Sequence, residues 1–452
     1  MNTLTSTRRP RLRRTGLDRA RHDADLRLQT YVERIWLPQG RTDLVRVTFD
    51  RPPDGYELAE QYAVLAYAGR PLYLVPLDSR AASVAGFQAY KAARSTASRF
   101  ARQAVAAGFA SGVAPKLLRD RLVISVHRSV TRERWGEVLL IKHLSDVLDR
   151  PDLVAFVAVR RINPTAKPTL QLFDRAGAPV GYAKIGASAP TQDLVRTEAA
   201  ALAALGGGPP GVLVPQMLAT GEWGSTAFVV GSPVPSRIRR WTAGPEATVP
   251  ALRRLNALSA HRSRLRDSSY ATRIGVELAS AAASVDEARL LTTWLNELMV
   301  SDQEIEFGRM HGDWNPGNVG KLSGGLAAWD WEHSVDDAPV GLDLLHWPFH
   351  DALARHDLST AVRAAERAAP GLQLLGVPAS ARRLVVSCYL LDMFVRWTKL
   401  VADRVSWNPK WYPDLVHVVT TRRAAQLSPA QQFGVNLLQP GEVDRRRVTL
   451  LV

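Results

Sequence analysis

Cysteine is almost absent. The only one, Cys388, sits in an apolar stretch of a 452-residue chain, so an intrachain disulfide framework is impossible. That usage suits a reducing compartment and gives the expectation of a cytoplasmic protein. Long apolar runs are missing too; none reaches the roughly 20 residues that span a bilayer as a helix. Arginines crowd the start (Arg8, Arg9, Arg11, Arg13 and Arg14), but no hydrophobic segment follows, so a secretion signal is not expected. Acidic residues fall short of basic ones, 43 against 58, and the formal net charge is +15. Much of that excess lies in residues 1–24. This arm should be solvated and capable of weak contact with anionic lipid or nucleic acid. A specific nucleic-acid reader is excluded by the lack of any helix–turn–helix, zinc-finger or RNA-binding motif. Internal repeats are missing as well, and the length suits two or three domains.

What is present is chemistry between residues 306 and 346. The run Met310-His311-Gly312-Asp313-Trp314-Asn315-Pro316-Gly317-Asn318-Val319 follows an apolar, strand-like segment and is dense in turn formers. Ala327-Ala328-Trp329-Asp330-Trp331-Glu332 reads as the end of a second short strand. Transfer of a γ-phosphoryl group needs an acceptor hydroxyl held in line and cations bridging phosphate oxygens. Asp313 fits the role of base. Asn318, five residues on, and Asp330, arriving on another strand, fit a magnesium site. The bland alternative is that Asp313 and Asn318 only cap a turn, because Asn-Pro-Gly-Asn is itself a turn signal.

His311-Gly312-Asp313, Asn318 and Trp329-Asp330-Trp331-Glu332 resemble the signatures of the aminoglycoside phosphotransferase and choline kinase-like enzymes. The later Pro339-Val340-Gly341-Leu342-Asp343-Leu344-Leu345-His346 also resembles that family. The resemblance implies an α+β, bilobal protein-kinase-like fold, with a small antiparallel sheet lobe and a mostly helical lobe. It implies Asp343 as a brace of the catalytic loop beside His311, with ATP (or GTP) and Mg²⁺ as cofactors.

Upstream, Val154–Val159, Thr169–Phe173 and Val180–Ile185 read as strands of the sheet lobe. Lys184 stands where the family's phosphate-binding lysine would be. Glu198, in the alanine-rich helix 193–205, stands where its partner would be. The competing reading of Glu198 is an exposed helical acid. The backbone of Val229 to Gly231 is expected to hold the adenine. Glycine is missing from Arg160–Pro168, so a protein-kinase glycine cover is excluded. Asn163, Thr165 and Lys167 remain there as phosphate contacts, with Lys167 equally readable as a solvated residue.

Helices are expected at 248–258, 270–283, 285–299, 359–368, 379–401 and 415–427. Trp314 and Glu332 are candidates for holding the acceptor, with Trp407 and Trp411 among the aromatics nearby. Asp392, Arg396 and Asp403 read as a solvated ion-pair ladder, or as the lining of an acceptor groove.

The expected organisation is a basic tail (1–24), a small α/β domain of unassigned role (25–148), the sheet lobe (149–235), the helical lobe (236–435) and a tail (436–452). In the front region, Tyr62–Tyr67, Pro71–Leu77, Val123–Val126 and Val138–Ile141 read as strands and Ser83–Ala107 as one long helix. Maltokinases share such a layout, although their metal position typically carries Gln where this chain has Asn318. A sugar or glycan precursor is the expected acceptor, with an aminoglycoside or amino alcohol as the alternative. From another class, a non-catalytic nucleotide-binding scaffold is weighed against it.

Overall fold

The computed structural model describes residues 28–37, 43–49, 51–67, 70–89, 96–118, 120–159, 167–235, 238–282 and 285–403. The basic arm 1–24, Asn163 and Thr165, Trp407 and Trp411, the helix expected at 415–427 and the tail 436–452 lie outside them.

The first half runs α1 (28–36), β1 (Val45–Phe49), β2 (Tyr56–Tyr67), β3 (Arg70–Pro76), α2 (Arg80–Ala89), α3 (Thr96–Ala110), α4 (Ala114–Leu117), β4 (Arg121–His127) and α5 (Leu140–Val147). It continues with β5 (Val154–Ala158), β6 (Thr169–Phe173), β7 (Pro179–Gly186), α6 (Ala189–Leu205), β8 (Val212–Leu213), β9 (Met217–Trp223) and β10 (Thr226–Gly231). Nine strands make one sheet in the order β1-β4-β2-β3-β5-β6-β7-β10-β9. Neighbouring strands are antiparallel throughout.

The expected break near residue 148 is therefore no break in the sheet. β3 pairs with β5 through Tyr73↔Ala158 and Leu74↔Val157, so the front region extends the sheet lobe. Left apart, each strand would present a bare apolar edge; pairing satisfies both. Two local expectations also change. Ser83–Ala107 divides into α2 and α3, and Val138–Ile141 leads into helix α5 rather than forming a strand. Leu140, Ile141, Leu144 and Ser145 are the buried positions there, which is helical spacing that a four-residue window cannot reveal.

Alternation along the strands sorts the core into two faces. Ala155, Val157, Leu170, Leu172, Ala183, Ile185 and Phe228 face Trp36 of α1 and Leu144 of α5. Phe156 and Phe173 face the opposite way, against Phe87 and Phe109 of α2 and α3. Helix α6 starts at a reciprocal cap between Ser188 and Thr191, with Pro190 in its first turn, and stops at Gly206 in the left-handed region.

The second half is mostly helical: β11 (Arg239–Arg240), α7 (Val249–Asn256), β12 (His261–Arg264), α8 (Ser269–Ala281), α9 (Glu287–Met299), β13 (Glu304–Met310), β14 (Val319–Leu322), β15 (Gly325–Ala328), β16 (Val335–Pro339), α10 (Leu342–Arg355), α11 (Leu358–Ala368) and α12 (Ala379–Ala402). Its small sheets are β12-β13-β16 and β11-β14-β15-β8. β8 falls within the stretch assigned to the sheet lobe (149–235), yet it crosses over and pairs in parallel with β15. The middle of α12, from Val385 to Val395, is buried on every side, so this helix is the spine of the lobe. The architecture is thus an antiparallel sheet lobe joined to a helical lobe. The core of α6 and β10 is continuous with that of the helical lobe through Val195, Leu202, Val229, Trp294, Trp314 and Phe394.

Candidate active site

β13 delivers the loop His311-Gly312-Asp313 to the junction of the lobes. Gly312 has φ +82°, and a Cβ there would stand 2.2 Å from the His333 carbonyl oxygen, so only glycine fits. Asp343, in the first turn of α10, accepts the peptide N–H groups of His311 and Gly312, both at 2.8 Å. Arg396 of α12 donates to the Gly312 carbonyl at 2.7 Å. His311 is fully buried, and burial lowers its pKa below the ordinary imidazole value. Its Nδ1 accepts the Asp313 N–H at 3.2 Å, which leaves Nε2 to donate to the Trp329 carbonyl at 2.9 Å. Asp343, Arg396 and His311 thus all bond to the backbone of this loop or its hairpin neighbour.

The Asp313 carboxylate receives Asn315 Nδ2 on Oδ1 and Asn318 Nδ2 on Oδ2, each at 2.7 Å, and His346 Nε2 on Oδ1 at 2.9 Å. Burial alone would raise its pKa. The hydrogen bond from His346, with His333 and His311 beyond, wins and holds it well below the ordinary carboxylate range. Asn315 also accepts the Gly317 N–H at 2.7 Å, closing the turn that brings Asn318 back beside Asp313.

β14 and β15 pair as a hairpin with Val319 opposite Ala328, and the Trp329 N–H donates to the Asn318 carbonyl at 3.1 Å. Asn318 and Asp330 are thereby anchored to one hairpin end. Asp330 has φ +65°, a left-handed conformation costing roughly 1–2 kcal/mol for a residue with a Cβ. Such a residue persists where its surroundings over-determine it. Its carboxylate lies 2.5 Å from Lys184 Nζ.

Lys184 also binds Glu198 at 2.6 Å and approaches Glu332 at 3.7 Å, while Lys167 holds Glu332 at 2.7 Å. Burial opposes the Lys184 ammonium, but Asp330, Glu198 and Glu332 outweigh it and hold it well above the ordinary lysine range. Burial, reinforced by Asp330 and Glu332, raises Glu198 against the pull of Lys184. Glu332 ends below its ordinary value because Lys184 and Lys167 overcome its burial. The reading of Glu198 as an exposed helical acid is excluded, since only 5% of it is accessible. Lys167 is likewise buried and paired, not solvated.

Several expectations change. Trp314 is fully buried and donates Nε1 to Thr248 Oγ1 at 3.0 Å, so its face is not offered to an acceptor. Val229 and Gly231 lie in the internal strand β10, paired with β7 on one side and β9 on the other. Gly231 is the last residue of that strand and sits at a register shift against β9. Asp392 is not part of a solvated ladder: it is 2% exposed and clamped by Arg396 at 2.5 Å and Arg273 at 2.7 Å. The strand read into Ala327–Glu332 ends at Ala328, ahead of Asp330.

A cavity of about 560 Å³ opens beside Asp313, walled by Phe349, Leu353, Met393 and Trp397, with Glu332 and Asp403 among its polar groups. Sequence reasoning did not single out His346 as a partner of Asp313. The available signal was its place three residues after Asp343, on the same face of one helix.

No family model matches the sequence, and no curated protein does. Solved structures similar in fold include an amicoumacin kinase in complex with AMP-PNP, Ca²⁺ and Ami, at 11% identity, covering 66% of this chain and 94% of that one with a TM-score of 0.40. An ethanolamine kinase of Plasmodium vivax shares 11% identity over 68% of this chain and 90% of its own, with a TM-score of 0.38. A glucosamine kinase bound to glucosamine, ADP and inorganic phosphate shares 16% over 66% and 87%, with a TM-score of 0.34. All three are small-molecule kinases, the class the sequence motifs resemble. TM-scores below 0.5 leave the functional reading to the site's own chemistry.

Proposed function

We propose that this chain transfers the γ-phosphoryl group of ATP to a hydroxyl of a small molecule. The observation that carries the reading is the meeting of two clusters at one loop. Asp313 and Asn318 share hydrogen bonds, while Lys184, buried Glu198 and half-buried Asp330 form an ion cluster. A turn cap would explain the first cluster but not the second.

Asp313, held anionic, accepts the hydrogen of the acceptor hydroxyl and aims the oxygen at phosphorus. Because the transition state is loose, orientation matters more than base strength, and the proton moves late. Lys184, kept charged and aimed by Glu198, is the cation for the phosphates. Magnesium suits hard oxygen donors and takes few from protein. Asp330 offers a carboxylate. Asn318 gives its amide hydrogens to Asp313, so its carbonyl oxygen is what it can offer a cation. Among the described residues no three acids or histidines gather closely enough to hold a metal alone. A cation here would be shared with phosphate oxygens, whose charge it would neutralise.

The cavity volume suits an acceptor of sugar size, and a sugar or glycan precursor remains our preferred substrate class. Trp397 takes the place first given to Trp314 as the aromatic wall. No helix among the described residues is long and apolar enough to cross a membrane. The single buried thiol of Cys388 suits a cytoplasmic setting.

Thermal stabilisation by ATP with and without Mg²⁺ tests the nucleotide half of the reading. The expected result is a shift that requires the metal and grows with ligand concentration. No shift with ATP or GTP under either condition would refute it.

A further inference from the structure

We propose that His346 is a positioning residue for Asp313 and that Tyr389 fixes it in the tautomer this requires. The inference rests on the kinase reading above.

Asp313 has three side-chain donors, and they are not equivalent. Asn315 and Asn318 belong to the same loop as Asp313, so they fix the carboxylate relative to that loop. His346 comes from α10, which also supplies Phe349 and Leu353 to the cavity wall. It is the donor that fixes the carboxylate relative to the space where an acceptor would lie. Asp343 stands three residues earlier on the same helix and holds the two peptide N–H groups preceding Asp313. One face of α10 thus sets both the backbone and the side chain of the base.

Chemistry settles the tautomer. A carboxylate needs a donor, so Nε2 carries the hydrogen, and in the neutral imidazole Nδ1 is then the acceptor. Tyr389 of α12 presents its hydroxyl 3.2 Å from Nδ1 and is the donor there. His346 is 5% and Tyr389 2% exposed, so the bond between them is shielded from water. Burial raises the Tyr389 pKa well above its ordinary value, which keeps its hydrogen in place. Seven residues further along α12, Arg396 holds the Gly312 carbonyl. Helices α10 and α12 therefore grip the catalytic loop together. His350, whose ring lies 5.8 Å from that of His346, is lowered in pKa by burial and does not replace it on Asp313.

Losing His346 frees the carboxylate to shift against the acceptor without touching the nucleotide pocket. Misplacement of a reacting group by about 1 Å can cost on the order of 100-fold in rate. The test measures ADP formation by the full chain with Mg·ATP and glucosamine, ethanolamine or water as phosphoryl acceptor. The proteins are wild type, Asp313→Asn, His346→Ala, His346→Gln and Tyr389→Phe.

His346→Ala should lower kcat by about 10- to 100-fold while KM for ATP stays within about threefold. His346→Gln, which returns an amide donor near the Nε2 position, should recover most of the loss. Tyr389→Phe should lose several-fold. A turnover of His346→Ala equal to wild type, or His346→Gln as slow as the alanine variant, overturns this inference and leaves the kinase reading standing, provided Asp313→Asn is inactive. No ADP formation by wild type, or wild-type turnover by Asp313→Asn, overturns the kinase reading and this inference with it. Because glutamine is polar and similar in length, its variant keeps the comparison valid should the alanine variant fold poorly.

Discussion

Replacing Asp343 by alanine should damage the stability of the helical lobe and the His311–Asp313 loop together. The side chain is 3% exposed and receives two peptide N–H groups, from His311 and Gly312, at 2.8 Å each. Both donors lie in a buried loop whose other peptide contacts are already committed. Alanine leaves them without a partner. An orphaned buried N–H costs about 1–3 kcal/mol, so the pair should cost about 2–6 kcal/mol. The vacated volume is that of one carboxylate, too small for the loop to collapse into, because Gly312 already presses against the His333 carbonyl. Asp343→Asn should be intermediate: its carbonyl oxygen can serve one donor, while its NH₂ would face the other. Urea unfolding followed by intrinsic tryptophan fluorescence reads the change directly, since Trp314 sits next to the loop and is buried. A shift below about 1 kcal/mol for the alanine variant would mean that water or a rearranged loop satisfies those N–H groups, and that Asp343 does not brace the site.

Other outcomes follow from the same structure. Lys184→Met should destabilise the chain by about 3–5 kcal/mol, because Glu198 and Asp330 lose their shared cation in a largely buried setting; the Glu198→Gln, Lys184→Met double variant should recover part of that. Burial, with Arg396 adding to it, pushes the His333 pKa down to about 4 from an ordinary 6.5, and burial lowers His311 and His350 as well. The unfolded chain therefore binds more protons between these values: stability is full above pH 6.5 and is lost as pH falls through about 4, and His333→Gln should flatten that loss in a pH series of denaturant midpoints. Trp314→Phe should lower stability by about 1–3 kcal/mol through the orphaned Thr248 contact and lost packing, with KM for the acceptor unchanged, whereas Trp397→Ala should raise that KM. Deleting residues 1–148 should give an insoluble fragment, since it strips β3 from β5 and bares Phe156 and Phe173; a soluble, active 149–452 fragment would contradict the continuous sheet.

The chemistry of the site was more legible than its surroundings. Asp313 and Asn318 lie five residues apart across a turn written in Asn, Pro and Gly, so local sequence dictates their meeting. Lys184 and Glu198 also lie close in sequence, and one strand–helix connection brings them together. What was hidden depends on long-range packing. Trp314 reads as an exposed aromatic beside the base, yet its partner Thr248 is 66 residues away. His346 reaches Asp313 only because α10 docks under the loop. Asp392 looked solvated by its spacing, but the helix carrying it is the interior spine of the lobe. The front region looked separable because its strands have ordinary patterning. Nothing local says that β3 will pair with β5 across the α2–α5 segment, a non-local contact of the kind sequence periodicity does not encode.

The most direct measurement of the central claim is phosphoryl transfer from γ-labelled ATP, with Mg²⁺, to a panel of sugars, amino sugars and amino alcohols, run in parallel with nucleotide binding on the same proteins. Wild type should label at least one acceptor. Asp313→Asn should label none while binding ATP almost as wild type does, and Asp330→Ala should lose metal-dependent binding. Equal transfer by wild type and Asp313→Asn, or no metal-dependent binding of ATP or GTP by wild type, would contradict the account.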